Sequence, residues 1–194
     1  LEKIRADPGL EINSVACAAA LPSTSMLETI SKDLNQPEYV HVMLNSLPVY
    51  GLIVGIIGLV LALLLRSRSA RITALAVVFV SAASAWPTAH YGEQAYDRVL
   101  SMADDAGQAW LDAHARRADN LVWCFYVLAL VAAAAIATPK TWPRLGASLT
   151  VLSLCLAMVS LGAGGYIAYA GGKIRHREFR TVPPPERAPS DESR

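Results

Sequence analysis

Apolar residues in this chain gather into four long runs parted by short charged or polar breaks, a pattern of spanning helices rather than of strands. The run from Leu47 to Leu65 is almost purely apolar and uncharged, and about 18 such residues suffice to cross a bilayer core as a helix. The first spanning helix is expected over 38–65. At its polar start His41, Asn45 and Pro48 recur at i, i+4 and i+7 and so share one face. Arg66, Arg68 and Arg71 end it in a tight basic loop. The second helix is expected over 72–90, with Trp86 and Pro87 as an interfacial aromatic and a kink. The third is expected over 120–138, capped by Asp119 or Asn120. Pro139 and Pro143 bracket a loop carrying Lys140 and Arg144. The fourth is expected over 145–172, uncharged, ending in the glycine-rich residues 162–172.

Between the second and third runs lie about thirty residues, too many for a bare turn. Val99, Leu100, Ala103, Ala106, Trp110 and Leu111 recur at helical spacing. They predict one or two short amphipathic helices on the membrane surface or over the end of the bundle. Residues 1–37 are mixed, with one short helix expected near 26–34 and Met26 a plausible native start. Cys17, after Ser-Val-Ala, lacks the hydrophobic core that would precede a lipidated cysteine. Residues 181–194 contain a proline run and no apolar run, and disorder is expected. The expected architecture is all-α: an integral four-helix transmembrane bundle over 38–180, with a poorly ordered segment before it and a disordered tail after it.

Composition agrees. Hydrophobic residues make up 54% and charged residues 17%, with a net charge of +1. No broad basic field or binding signature points to nucleic acid. Cys17, Cys124 and Cys155 form no CxxC or CxxCH, so neither a zinc ribbon nor a covalently attached haem is encoded. The chain has no GxSxG, HExxH or phosphate loop, and no independent catalytic activity is expected. The loops after the first and third helices hold five basic residues and no acid, which favours the cytoplasm. Both termini are then expected outside a bacterial inner membrane.

Candidate chemistry lies in the four histidines, His41, His90, His114 and His176. A four-helix topology puts all of them at one membrane level. Neutral imidazole suits haem iron or a transition metal. Glu93, at i+3 from His90, is a candidate ligand or orienting carboxylate, and Asp112 and Asp119 flank His114. Tyr166, Tyr169, Lys173 and His176 follow one face of the fourth helix, beside glycines that leave room for a flat macrocycle or a close helix crossing. On the first helix Gly51 and Gly55 form GxxxG, a packing device. No helix carries a charge at mid-membrane, which argues against an ion path.

The opening HVMLNSLP, the Gly-Glu at Gly92 and Glu93, and the ending GGKIRH are the most specific stretches. With them the chain, over roughly 39–180, resembles a group of bacterial four-helix inner-membrane proteins classed as a domain of unknown function. The matching positions are His41, Leu44, Asn45, Leu47, Pro48, Gly92, Glu93, His114, Gly171, Gly172, Ile174, Arg175 and His176. Ser46 stands where relatives often carry a second histidine. The resemblance implies fold and topology and no activity. The expectation is a membrane subunit holding haem b or a transition metal through His41, His90, His114 and His176, with Glu93, for electron transfer in a redox complex. The alternative is a cofactor-free accessory subunit docking on other membrane subunits through small-residue faces.

Overall fold

The computed structural model describes residues 24–187, and every regular element among them is helical. α1 spans Thr24–Leu34, α2 Pro37–Leu44, α3 Ser46–Leu64, α4 Arg68–Ala83, α5 Ala85–Met102, α6 Asp105–Ala137 and α7 Pro143–Arg175. A 3₁₀ turn follows at Arg177–Phe179. α2 leads into α3 and α4 into α5, so the described residues form four helices long and apolar enough to cross a membrane. The breaks within the first two have one cause. Pro48 and Pro87 have no N–H to give the carbonyls four residues back, those of Leu44 and Ala83. α2 and α4 end at those two residues. The short helix expected near 26–34 is α1, whereas Cys17 lies outside the described residues.

The expected surface helices between the second and third spans give way to something simpler. α5 continues to Met102 and α6 begins at Asp105, leaving Ala103 and Asp104 as the turn. Nothing interrupts the helices there, since no proline occurs between Pro87 and Pro139. Asp104 starts α6, its carboxylate accepting from the Gly107 N–H at 2.9 Å. The periodicity that suggested surface helices is the buried side of two long ones, with Ala95, Trp110 and Leu111 inside. At about 1.5 Å per residue a helix the length of α6 or α7 reaches about 50 Å, against about 30 Å of bilayer core. The surplus turns at this end carry Glu93, Asp97, Arg98, Asp112, Arg116 and Arg117. The tail is partly tied down: Arg187 donates to Asp112 at 3.0 Å and to Gln108 at 2.8 Å.

α3 packs beside α4, α4 beside α6, α6 beside α7, and α7 back against α3. Leu52, Leu59, Leu75, Val78, Ala82, Phe125, Leu128, Ala132 and Ala157 meet inside. The GxxxG face of α3 is occupied by α4. A Cβ at Gly55 would lie 2.6 Å from Val78 Cγ2, and one at Gly58 3.2 Å from the Ala74 Cβ. Absent side chains let the two backbones approach. Two buried hydroxyls are satisfied locally, Thr150 donating to the Gly146 carbonyl at 2.6 Å and Ser153 to that of Leu149 at 2.8 Å, whereas the buried Ser160 hydroxyl has no partner among the described residues.

Candidate functional site

The proline breaks position the first half of the site. Beyond them α2 and α5 pack against each other at the end where the spans project. His41 of α2 thereby lies across α5, its Nδ1 2.8 Å from the Thr88 carbonyl. One turn further along α5 stands Gly92, where a Cβ would come within 2.8 Å of the imidazole ring. Any larger residue there would push His41 off its seat.

The second half repeats the device. His114 of α6 lies across α7, its Nδ1 3.0 Å from the Ile167 carbonyl. One turn along α7 stands Gly171, where a Cβ would approach the ring to 3.0 Å. In both cases the first helix of a hairpin supplies a histidine. The second supplies a carbonyl at one position and a glycine four residues on. The two rings then meet edge to face across the bundle, centres 6.3 Å apart and planes at 86°.

The chemistry follows from the hydrogen bonds. A carbonyl only accepts, so each Nδ1 must carry the proton and donate. In its neutral form each ring then has its lone pair on Nε2, the arrangement in which outer-shell carbonyls orient ligating imidazoles and raise their basicity.

Around His114 the α6–α7 interface is lined by cations on aromatic faces. One turn before it, the Lys173 amine is buried 4.5 Å from the Trp110 ring centre and 4.1 Å from that of Tyr169, donating to the Tyr169 hydroxyl at 2.7 Å. About one turn after it, Arg117 lies 3.8 Å over Tyr166 and donates to the Tyr166 carbonyl at 2.8 Å. Such contacts hold a charge without a carboxylate. Outside this interface a carboxylate clamp closes the end of the bundle. Arg180 donates to Asp104 at 2.9 Å and Arg177 pairs with it at 3.1 Å. The Arg180 guanidinium and then the Gly107 N–H hold the Asp104 carboxyl down at about 2, well below the usual range.

Of the four expected histidines the structure brings His41 and His114 together and leaves His90 and His176 apart from them. His90 is exposed on α5, stacked on Trp86 at 5.8 Å and 2.8 Å from the Gln94 amide. It stands two residues from Gly92, about 200° round the helix from the face that seats His41. Glu93 is exposed too. His176 lies past the last turn of α7, 2.9 Å from the Glu178 carboxylate and stacked on Phe179. Among the described residues no three His, Cys, Asp or Glu side chains come together as a metal site. The glycines of α7 divide likewise. Gly171 seats His114 and Gly164 faces Val49 and Phe125, while Gly162 and Gly165 face open space. Tyr169 and Lys173 of the cage share a helix face by spacing, whereas the two glycine seats are the residues that spacing alone did not single out. A glycine on each hairpin's second helix, near a histidine's membrane level, was their one trace.

Comparison of the chain with known protein families, curated proteins and solved structures finds no match.

Proposed function

We propose that this chain is a membrane subunit that binds haem b through His41 and His114 and serves electron transfer within a bacterial redox complex. The observation that carries the reading is the pair of rings 6.3 Å apart, each with its Nδ1 anchored on a backbone carbonyl. The donor set fits a haem better than a bare ion. A structural zinc needs about four protein ligands, whereas a haem would be held by His41 and His114 with no further side-chain ligand. Bound there, the haem supplies one-electron chemistry at its iron. The chain's own work is positional. Thr88 and Ile167 fix the tautomers, Gly92 and Gly171 fix the ring positions, and Lys173 and Arg117 place positive charge beside His114.

The five-to-none excess of basic over acidic residues in the two loops at the opposite end supports a cytoplasmic location for that end. The histidine pair then faces the outer side. A second reading, an accessory subunit without a cofactor, rests on Gly162 and Gly165, whose open side leaves room for a partner helix.

The test is an absorption spectrum of the detergent-purified protein, as isolated and after reconstitution with haemin, oxidised and then dithionite-reduced. The expected result is a Soret band with sharp reduced bands, lost in His41→Ala and in His114→Ala and kept in His90→Ala and His176→Ala. A wild-type protein that takes up no haem under either condition overturns the reading. The accessory-subunit reading then leads.

A further inference from the structure

At the opposite end from the histidines, α3 turns into α4 through Leu65, Arg66 and Ser67. The Ser67 N–H bonds the Ala62 carbonyl at 3.1 Å and the Arg66 N–H bonds that of Leu63 at 3.2 Å. This double closure is the Schellman end of a helix, in which one residue takes the left-handed conformation. That residue is Arg66, with φ 51°, and among the described residues no other non-glycine has positive φ. Glycine enters this region freely, whereas a side chain there strains against its own backbone. An arginine stands where the turn itself favours glycine, so its side chain must answer for it.

Beside that turn lies a cavity of about 210 Å³ lined by Ala62, Leu63, Arg66, Ser67, Arg68 and Arg71. Arg68 is partly engaged: one terminal nitrogen donates to the Thr138 carbonyl at 3.2 Å, while its Nε is buried with no hydrogen-bond partner. Arg66 and Arg71 have no side-chain partner among the described residues. No neutralising acid is near in sequence, because no Asp or Glu occurs between Glu38 and Glu93 or between Asp119 and Glu178. Lys140, in the loop before α7, and Arg144, in its first turn, add basic charge at the same end. Guanidinium groups suit a phosphate oxygen by geometry as well as charge.

The apolar surroundings say which phosphate. The cavity sits where the apolar run of α3 ends, with Ala62 and Leu63 in its wall. Leu64 and Leu65 beside it are 74% and 72% exposed. A free anion would need the cations alone, whereas a lipid needs cations above an apolar flank. We propose that this cavity binds the phosphodiester headgroup of an anionic phospholipid, with Arg66 and Arg71 donating to it and Leu64 and Leu65 lying against its acyl chains. The site is independent of the histidine pair.

The turn offers a test that separates binding from folding, since Arg66→Gly relieves the backbone strain while removing a donor. The full chain, equilibrated in detergent micelles with equal phosphatidylglycerol and phosphatidylcholine, is examined by native mass spectrometry for retained lipid. The wild type is expected to retain one phosphatidylglycerol about tenfold in preference to phosphatidylcholine, given the charge of two arginines at a membrane surface. Arg66→Gly and Arg71→Gln are each expected to lower that preference severalfold, with Arg66→Gly melting no lower than the wild type. Equal retention of the two lipids by the wild type overturns the proposal. So does undiminished preference in the double variant. Displacement of phosphatidylglycerol by millimolar inorganic phosphate alone overturns the lipid as the source and leaves a free-anion site.

Discussion

The two ends of the bundle are built on opposite electrostatics. At the histidine end five cations are answered: Arg98 by Glu38 at 2.8 Å, Arg177 and Arg180 by Asp104, Arg187 by Asp112, and Lys173 by two aromatic rings, while the exposed Arg116 and Arg175 have no side-chain partner among the described residues. At the arginine end Arg66 and Arg71 have no carboxylate partner among the described residues. The difference follows from what each end must do mechanically. Where the helices project beyond the apolar spans they pack on one another with polar side chains, and charge has to be balanced inside the protein. Where the chain turns within a few residues, nothing is enclosed and the charge faces outward. The enclosed end can therefore hold a fixed constellation of side chains. The open end, with Arg66 and Arg71 unpartnered among the described residues, leaves its charge for a partner from outside the chain.

The sharpest way to break this contrast is to disturb the seats at the enclosed end. Gly92→Ala and Gly171→Ala each set a methyl within about 3 Å of an imidazole. Overpacking of this kind costs about 1–3 kcal/mol. Each variant is expected to melt lower than the wild type and, on the haem reading, to lose or shift its reduced bands. A variant with unchanged melting and spectrum would show that the glycines are not seats.

A smaller effect is expected from the clamp. The Arg180 side chain is 12% exposed and donates to the Lys173 and Ile174 carbonyls as well as to Asp104. It thereby satisfies carbonyls that the end of α7 leaves open. Arg180→Ala is expected to cost about 2 kcal/mol in unfolding free energy, because buried acceptors lose their donor. Arg71→Ala at the open end, where the half-buried side chain has no polar partner among the described residues, should cost less, about 0.5–1 kcal/mol. Equal losses in the two variants would erase the distinction between the ends.

The smallest effect is the acid response. Asp104 has its carboxyl depressed to about 2 by Arg180 and the Gly107 N–H. A carboxylate whose folded value lies below its unfolded value of about 3.9 contributes fully above that value. The contribution then drains away as the pH falls through the folded value. Thermal unfolding followed from pH 5 to pH 2 is expected to show a steeper acid loss in the wild type than in Asp104→Asn. Parallel curves would remove Asp104 from the clamp.

Much of the fold was readable from local chemistry. Apolar run lengths located the four spans, and Pro87 marked the break between α4 and α5 because a missing N–H acts four residues away without help from the rest of the chain. Charge misled at α6. Asp119 and Asn120 read as a cap, yet the helix passes through them from Asp105, since charged residues do not stop a helix that has another helix to pack on. The histidines show the same limit. Chain order alone puts all four at one end, and that much holds. Their grouping depends on which way each helix is turned, and a two-residue offset sends His90 to the outside while Gly92 receives His41.

The sequence by itself therefore determined the number of long apolar helices, the distortion at Pro87 and the end at which each histidine lies. Those properties depend on composition and on contacts within a few residues. The tertiary structure alone decided that His41 and His114 meet, and that Gly92 and Gly171 make room for them. It also decided that Asp104 reaches Arg180. Such pairings depend on the rotation of one packed helix against another, which no single stretch of the chain encodes.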